Sequence, residues 1–241
     1  MDSFTLLHYA LDQGYHVDCI TFDYGQRHIK EIECARLICK ENNLTNLQIE
    51  IANVESIFAK SALTSNEIEM PHGSYQAESM QTTIVPNRNM LFISHAIAYA
   101  ISQNIDRVWY GAHAGDHFIY PDCRPEFYKN LIKSLKIGNW GGDKIEGYMP
   151  YINYTKADIL KETLPFIKKL ELDFKTIYRN TNTSYSPDSD GNSPGNTGSD
   201  IERILAFKEV GFEDPVKYRE GWEKALKNAI KVEEDYQKSL K

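Results

Sequence analysis

Cysteine is scarce and scattered. The four in 241 residues, Cys19, Cys34, Cys39 and Cys123, have neither the spacing of a disulfide framework nor that of a zinc-ligand cluster. A reducing, cytoplasmic compartment is the expectation. No apolar stretch approaches the roughly 20 residues that cross a bilayer, and no basic segment followed by an apolar one opens the chain, so neither a membrane span nor an export signal is read from it. Excess positive charge is missing too. Lys and Arg number 27 against 34 Asp and Glu, a net charge of -7, which argues against a broad grip on a nucleic-acid backbone and leaves a local pocket for a small anion. What is present is a globular composition, 41% hydrophobic and 25% charged, long enough to bury one large core.

Helix and strand alternate along the chain. Ser3 to Leu11 has helical spacing of Leu6, Leu7, Ala10 and Leu11, and Gly14 follows. His16 to Phe22 is a β-branched, apolar strand that runs into Asp23-Tyr24-Gly25. Ile29, Ile32, Ala35, Ile38 and Cys39 predict a helix, Leu47 to Ile51 a strand, Met90 to Ile101 a helix and Val108 to Gly111 a strand, with a less regular stretch from Asn53 to Thr83. This alternation predicts an α/β fold, a parallel sheet with helices on both faces, whose ligands bind beyond the carboxyl ends of the strands. Helices are expected over 124–137 and 156–169, the latter capped by Thr155. Residues 180–200, rich in Asn, Ser, Thr, Pro, Asp and Gly, predict a long polar loop, and helices 201–210 and 218–240 form a helical C-terminal part of a single 1–241 domain. The last helix carries Trp222, Ala225, Leu226, Ala229, Ile230 and Val232 near one face, expected to pack on the parent domain, with a homodimer contact as the alternative.

Polar residues crowd several turns. Asp2 and Ser3 open a helix and could direct oxygens and amides at a phosphate, although alone they read as a cap. Phe22-Asp23-Tyr24-Gly25-Gln26-Arg27-His28 is overloaded for a strand-to-helix turn and reads as a binding loop. Val85-Pro86-Asn87-Arg88-Asn89 offers a guanidinium and amides suited to phosphate or purine edges, though either Asn could simply cap. His113 and His117 flank Asp116, but nearby glycines argue against a helical metal pair and favour Asp116 as a magnesium or substrate contact. Cys123, within Tyr120-Pro121-Asp122-Cys123-Arg124, has no evident base partner and reads as pocket wall.

FDYGQRH, VPNRN, GAHAGDH, YPDCRPEF and Lys156-Ala157-Asp158-Ile159 together resemble, in order and over nearly the whole chain, the 7-cyano-7-deazaguanine synthases of the queuosine precursor pathway. The resemblance implies a Rossmann-like ATP pyrophosphatase domain of the adenine-nucleotide alpha-hydrolase type. Its implied activity is ATP-dependent conversion of 7-carboxy-7-deazaguanine and ammonia to the nitrile, through an adenylated carboxylate and then an adenylated amide. It also implies that Asp2, Ser3, Asp23, Tyr24, Arg88 and Asn89 bind ATP, that Gln26, Arg27, Asp122 and Arg124 bind the deazaguanine, and that Asp116, Lys156 and Arg124 act in catalysis. ATP and magnesium are the expected cofactors, and no direct nucleic-acid contact is expected.

Two departures from that family stand out. The sequence begins where the family's Ser-Gly-Gly-x-Asp-Ser loop has its variable residue, so Met1 is expected to be an internal methionine of a longer chain. Ser184, Pro194, Thr197 and Asp200 stand where the family has four zinc-binding cysteines, so no zinc is expected. The alternatives to the nitrile-forming enzyme are an amide-forming variant serving nucleic-acid modification, a catalytically dead relative that binds a deazapurine or a partner, and another ATP pyrophosphatase such as a tRNA thiolase.

Overall fold

Parallel strand pairing organises the molecule. In the computed structural model, which describes residues 1–52 and 55–241, helix α1 (Asp2–Asp12) leads to strand β1 (Asp18–Asp23), helix α2 (Lys30–Glu41) and strand β2 (Thr45–Glu50). After the short helix α3 (Glu55–Phe58) come helix α4 (Arg88–Gln103), strand β3 (Arg107–Trp109), helix α5 (Pro125–Ile137) and strand β4 (Glu146–Tyr148). Helices α6 (Lys156–Lys169), α7 (Phe174–Arg179), α8 (Gly198–Glu209) and α9 (Trp222–Ser239) complete the chain. Of the irregular stretch expected over 53–83, residues 53 and 54 lie outside the described residues.

The α/β class is the expected one, and among the described residues the strands form two parallel pairs. β1 pairs with β2 from Asp18↔Thr45 to Asp23↔Glu50, and β3 with β4 from Arg107↔Glu146 to Trp109↔Tyr148. Tyr15, just before β1, meets Trp109 of β3 edge-on at 5.3 Å, and the Tyr99 hydroxyl of α4 donates to Asp18 Oδ2 of β1 at 2.9 Å. The Phe22 and Phe92 rings stack at 4.2 Å, tying β1 to α4, while Ile97, Val108, Tyr128 and Ile145 bury a core shared by α4, α5 and β3. Helices lie on both sides of the strands, and a second core gathers α1, α2, α6, α7 and α8 around Phe4, Leu7, Ile38, Leu160, Tyr178 and Phe207.

Helix α1 is buried nearly all round, as its Phe4, Leu6, Leu7 and Ala10 require. Its one buried hydroxyl, Thr5, is satisfied by the Tyr178 hydroxyl at 2.7 Å. Helix α6 starts at a capping box in which Thr155 and Asp158 exchange hydrogen bonds with each other's backbone amides. Helix α9 lays Ala225 and Ala229 on Ile201 and Ile204 of α8, so its apolar face packs on the parent domain. It begins at Trp222 and not at Tyr218, because Tyr218 is buried with its hydroxyl on Asp214 (2.7 Å) and Gly221, at φ +81°, turns the chain into the helix. No helix among the described residues is long and apolar enough to cross a membrane.

The 180–200 segment is less of a free excursion than its composition predicts. Ser193 exchanges backbone hydrogen bonds with Lys217 and Arg219 (2.9 and 3.0 Å), and Thr197 bridges to His72. Ser184, Ser193, Thr197 and Asp200 are all buried, so this polar stretch is held by hydrogen bonds where an apolar one would be held by packing.

Candidate active site

The chain leaving β1 and β3 and the first turns of α1, α4 and α6 converge on one cavity of about 340 Å³. Such a place, beyond strand ends and at helix N-termini, favours an anionic ligand. Asp2, Ser3, Tyr24, Gln26, Arg88, Asn89, Asp116 and Lys156 all line it. Close packing draws the walls together: an added Cβ at Gly111 would stand 3.3 Å from the Ser3 amide nitrogen.

One end of the cavity is ionic. Lys156, the first residue of α6, is buried, and its Nζ lies 2.7 Å from Glu202 Oε2 and 3.7 Å from Asp2 Oδ2. Burial opposes its charge, but Asp2 and Glu202 more than offset that and raise the ammonium well above its ordinary pKa. Burial likewise opposes the Asp2 carboxylate, and Lys156 with His113 holds it well below the usual range. Both groups are therefore charged at neutral pH. His113 is buried beside them, its Nδ1 accepting from the Gly115 amide (3.0 Å) and its Nε2 lying 3.6 Å from Asp116 Oδ1. Asp116 also accepts from the Tyr75 hydroxyl at 3.0 Å.

The other end is aromatic around one guanidinium. Arg88 follows Asn87, which turns into α4 at φ 60°, and its guanidinium lies 5.8 Å from the Tyr24 ring and 5.6 Å from that of Tyr120. Its side-chain hydrogen bond is a long one, to the Tyr24 hydroxyl at 3.4 Å, and among the described residues no carboxylate stands within 4 Å of it. An oxyanion entering here would meet an unpaired cation. Glu31 opens onto the same space, and the protein packed around it raises its carboxyl above the usual value while Gln26 Nε2 donates to it at 3.1 Å. Cys123 lines the cavity, and burial pushes its thiol far up, with Asp116 and Asp122 adding to the shift. Such a thiol is a wall and not a nucleophile.

Four residues expected at the site are not brought into this cavity. Arg27 donates Nη1 to the carbonyls of Ala62, Ser65 and Ile68 (3.2, 3.3 and 3.1 Å), clamping a neighbouring loop. Asp23 turns back on the Gly25 amide at 3.2 Å, and Asp122 accepts from the Asn89 amide at 3.3 Å, at the start of α4. Arg124 is exposed, with Nε donating to the His117 carbonyl at 2.9 Å. In each case a backbone group outside the pocket holds the polar side chain away from it. Conversely, Glu31, Tyr75, Tyr185 and Glu202 line or face the site without having been singled out in the sequence. Helical periodicity marks Glu31 and Glu202 only as polar positions.

Comparison with known proteins decides the family. The sequence profile described as "Queuosine biosynthesis protein QueC" matches residues 1–211. The chain belongs to the QueC family. A 7-cyano-7-deazaguanine synthase of Psychromonas ingrahamii is 44% identical to this QueC-family chain over 220 residues, 91% of the chain and 94% of the relative. The 7-cyano-7-deazaguanine synthase 1 of Colwellia psychrerythraea is 44% identical over 218 residues, 90% and 94% of the two. The synthase of Pseudoalteromonas translucida is 42% identical over 218 residues, with the same coverage of 90% and 94%.

Proposed function

We propose that this QueC-family chain converts 7-carboxy-7-deazaguanine and ammonia to 7-cyano-7-deazaguanine at the expense of ATP. The carboxylate oxygen attacks the α-phosphorus of ATP and pyrophosphate leaves. Ammonia then adds to the acyl carbon, loses a proton, and AMP departs to give the amide. A second adenylation on the amide oxygen, followed by loss of the remaining N–H protons and AMP, yields the nitrile. A free carboxylate is a poor electrophile, and adenylation supplies the leaving group that it lacks.

The observation that carries this reading is the two-ended cavity. It has a held ammonium at the mouths of α1 and α6, and an unpaired guanidinium among tyrosines at the other end. Lys156 is suited to offset charge that grows on the departing pyrophosphate, with the first turn of α1 supplying amide N–H groups beside it. Arg88 is suited to an oxyanion and the tyrosines to the face of a purine ring. Magnesium would travel with the phosphates and offset their charge, for which Asp116 is the wall carboxylate that could complete its oxygen shell. Retention of these buried polar groups speaks against a dead binding relative, since each costs free energy unless it is used or paired.

The zinc-free character is part of the same proposal. Pro194 offers no donor, Ser184 and Thr197 are hydroxyls, and the Asp200 carboxylate already accepts from the Gly195 and Thr197 amides at 3.1 and 3.3 Å. This set does not fit a tetrahedral thiolate site. The four cysteines are free thiols, in keeping with residence in the cytoplasm.

Incubation with 7-carboxy-7-deazaguanine, ammonium and magnesium ATP, read by product mass and AMP release, tests the reaction. The nitrile with about two AMP per product is expected. Amide alone under excess ATP and ammonia would move the chain to the amide-forming variant, and no AMP would move it to the dead relative. Stoichiometric zinc in the purified protein would overturn the zinc-free reading.

A further inference from the structure

Glu202 has no part in the reaction as derived so far, yet it sits against its most buried cation. Its Oε2 is 2.7 Å from Lys156 Nζ, closer than Asp2 at 3.7 Å, and its Oε1 is 4.0 Å from His113 Nδ1. Glu202 comes from the second turn of α8 and Lys156 from the first residue of α6, so the pair ties two helices together at the rim of the cavity.

The rotation of α8 that points Glu202 at Lys156 is fixed by the next residue. Arg203 is buried, bidentate to Asp214 (2.6 and 2.9 Å), and donates also to the Thr181 and Thr183 hydroxyls and the Tyr178 carbonyl. With that side chain anchored, α8 cannot turn about its axis without breaking five hydrogen bonds. Space has also been kept for the carboxylate. A Cβ at Gly115 would meet both Glu202 Oε1 and the His113 ring, so glycine at the turn after β3 lets the two side chains approach it together.

We infer that Glu202 is a positioning residue, which holds the Lys156 ammonium between itself and Asp2 so that it faces the phosphate end of the cavity before ATP arrives. A long, flexible lysine otherwise loses rotamer freedom at the moment of reaction, and a preset cation avoids that loss. The inference rests on the proposed adenylation for its kinetic consequence but not for the ion pair itself. The bland alternative is an interhelix ion pair that only fastens α8 to α6.

A double-variant cycle in turnover separates the two, and a measurement that needs no turnover checks the contact that both require. Glu202→Gln keeps shape and an acceptor oxygen but removes the charge. It should slow ATP–pyrophosphate exchange about tenfold or more, with the KM for ATP changed less than about threefold. Combined with Lys156→Met, it should add nothing to the loss that Lys156→Met causes alone, because both changes remove one interaction. Independently, acetylation of Lys156 by limiting acetic anhydride, read by peptide mass spectrometry on the folded protein, should quicken about fivefold or more in Glu202→Gln as the amine is released from its carboxylate. Unchanged labelling in a variant that melts with the parent would overturn the inference, and so would losses that add in the double variant. If wild-type protein supports no exchange, the proposed reaction fails, while the labelling result still decides whether Glu202 holds Lys156.

Discussion

Buried charge governs this molecule residue by residue. Arg203 and Asp214, 2% and 0% exposed as side chains, form a bidentate pair whose remaining donors and acceptors are taken by Thr181, Thr183, Tyr178 and Tyr218. Replacing Asp214 by Ala would leave a guanidinium in the core with no counter-charge. The expected cost is about 3–5 kcal/mol, measured by urea denaturation. A loss below about 1 kcal/mol would mean that water reaches the pair. The residue scale is also where sequence told part of the site and missed the rest. Arg88 and Asp116 were legible because each stands at a turn where an α/β fold puts its ligands, and Lys156 only because it matches the family's pattern. Arg27 and Arg124 looked equally suitable, but backbone carbonyls nearby accept their hydrogen bonds. Glu202 could not be found, because a polar position on a helix does not say which neighbouring helix it faces.

Elements here are defined as much by their caps as by their apolar stripes. The helix over 156–169 was read to the residue, since Thr155 marks its start in the sequence itself. Strand β4 and helix α7, three and six residues long, are too short to show a period, and β4 contains Gly147. The start of α8 was hidden for another reason. Thr197 looked like one residue of a polar loop, yet it accepts from the Asp200 amide at 3.3 Å while Asp200 accepts from the Thr197 amide, a capping box placed in the stretch where the resemblance sets the family's zinc-binding cysteines. Thr197→Ala should cost about 0.5–2 kcal/mol and lower the melting temperature by about 2–4 °C per kcal/mol. A variant that melts with the parent would show that the α8 terminus is held from elsewhere, for which the Gly195 amide on Asp200 is the candidate.

For the molecule as a whole, α1 is a buried helix, and its one histidine makes the fold sensitive to mild acid. His8 is buried against Phe4, ring centroids 4.1 Å apart, with Nδ1 3.0 Å from the Phe4 carbonyl, and burial lowers its pKa from 6.5. Burial lowers His28 and His117 in the same direction. The unfolded chain therefore binds these protons at a higher pH than the folded chain does. The contribution of these histidines to stability is complete above about 6.5 and is lost as the pH drops below it, because unfolding then takes up protons. Melting at pH 5.5 should come below melting at pH 7.5, and His8→Gln should flatten the difference. Equal melting temperatures in the parent would show that no buried histidine is forced to charge on unfolding.

The cavity draws Asp2 and Ser3 from the first turn of the chain, Tyr24 and Arg88 from its first half, and Lys156, Ser184 and Ser199 from the second. Order of synthesis therefore matters. A ribosome making this protein exposes Asp2 and its neighbours long before Lys156 and Glu202 exist to face them, so the ionic end of the pocket is among the last features to form. A nascent chain or a stalled fragment would hold the strands β1 and β2 but no closed cavity, because the side chains of α6 and α8 that complete its ionic end are not yet made.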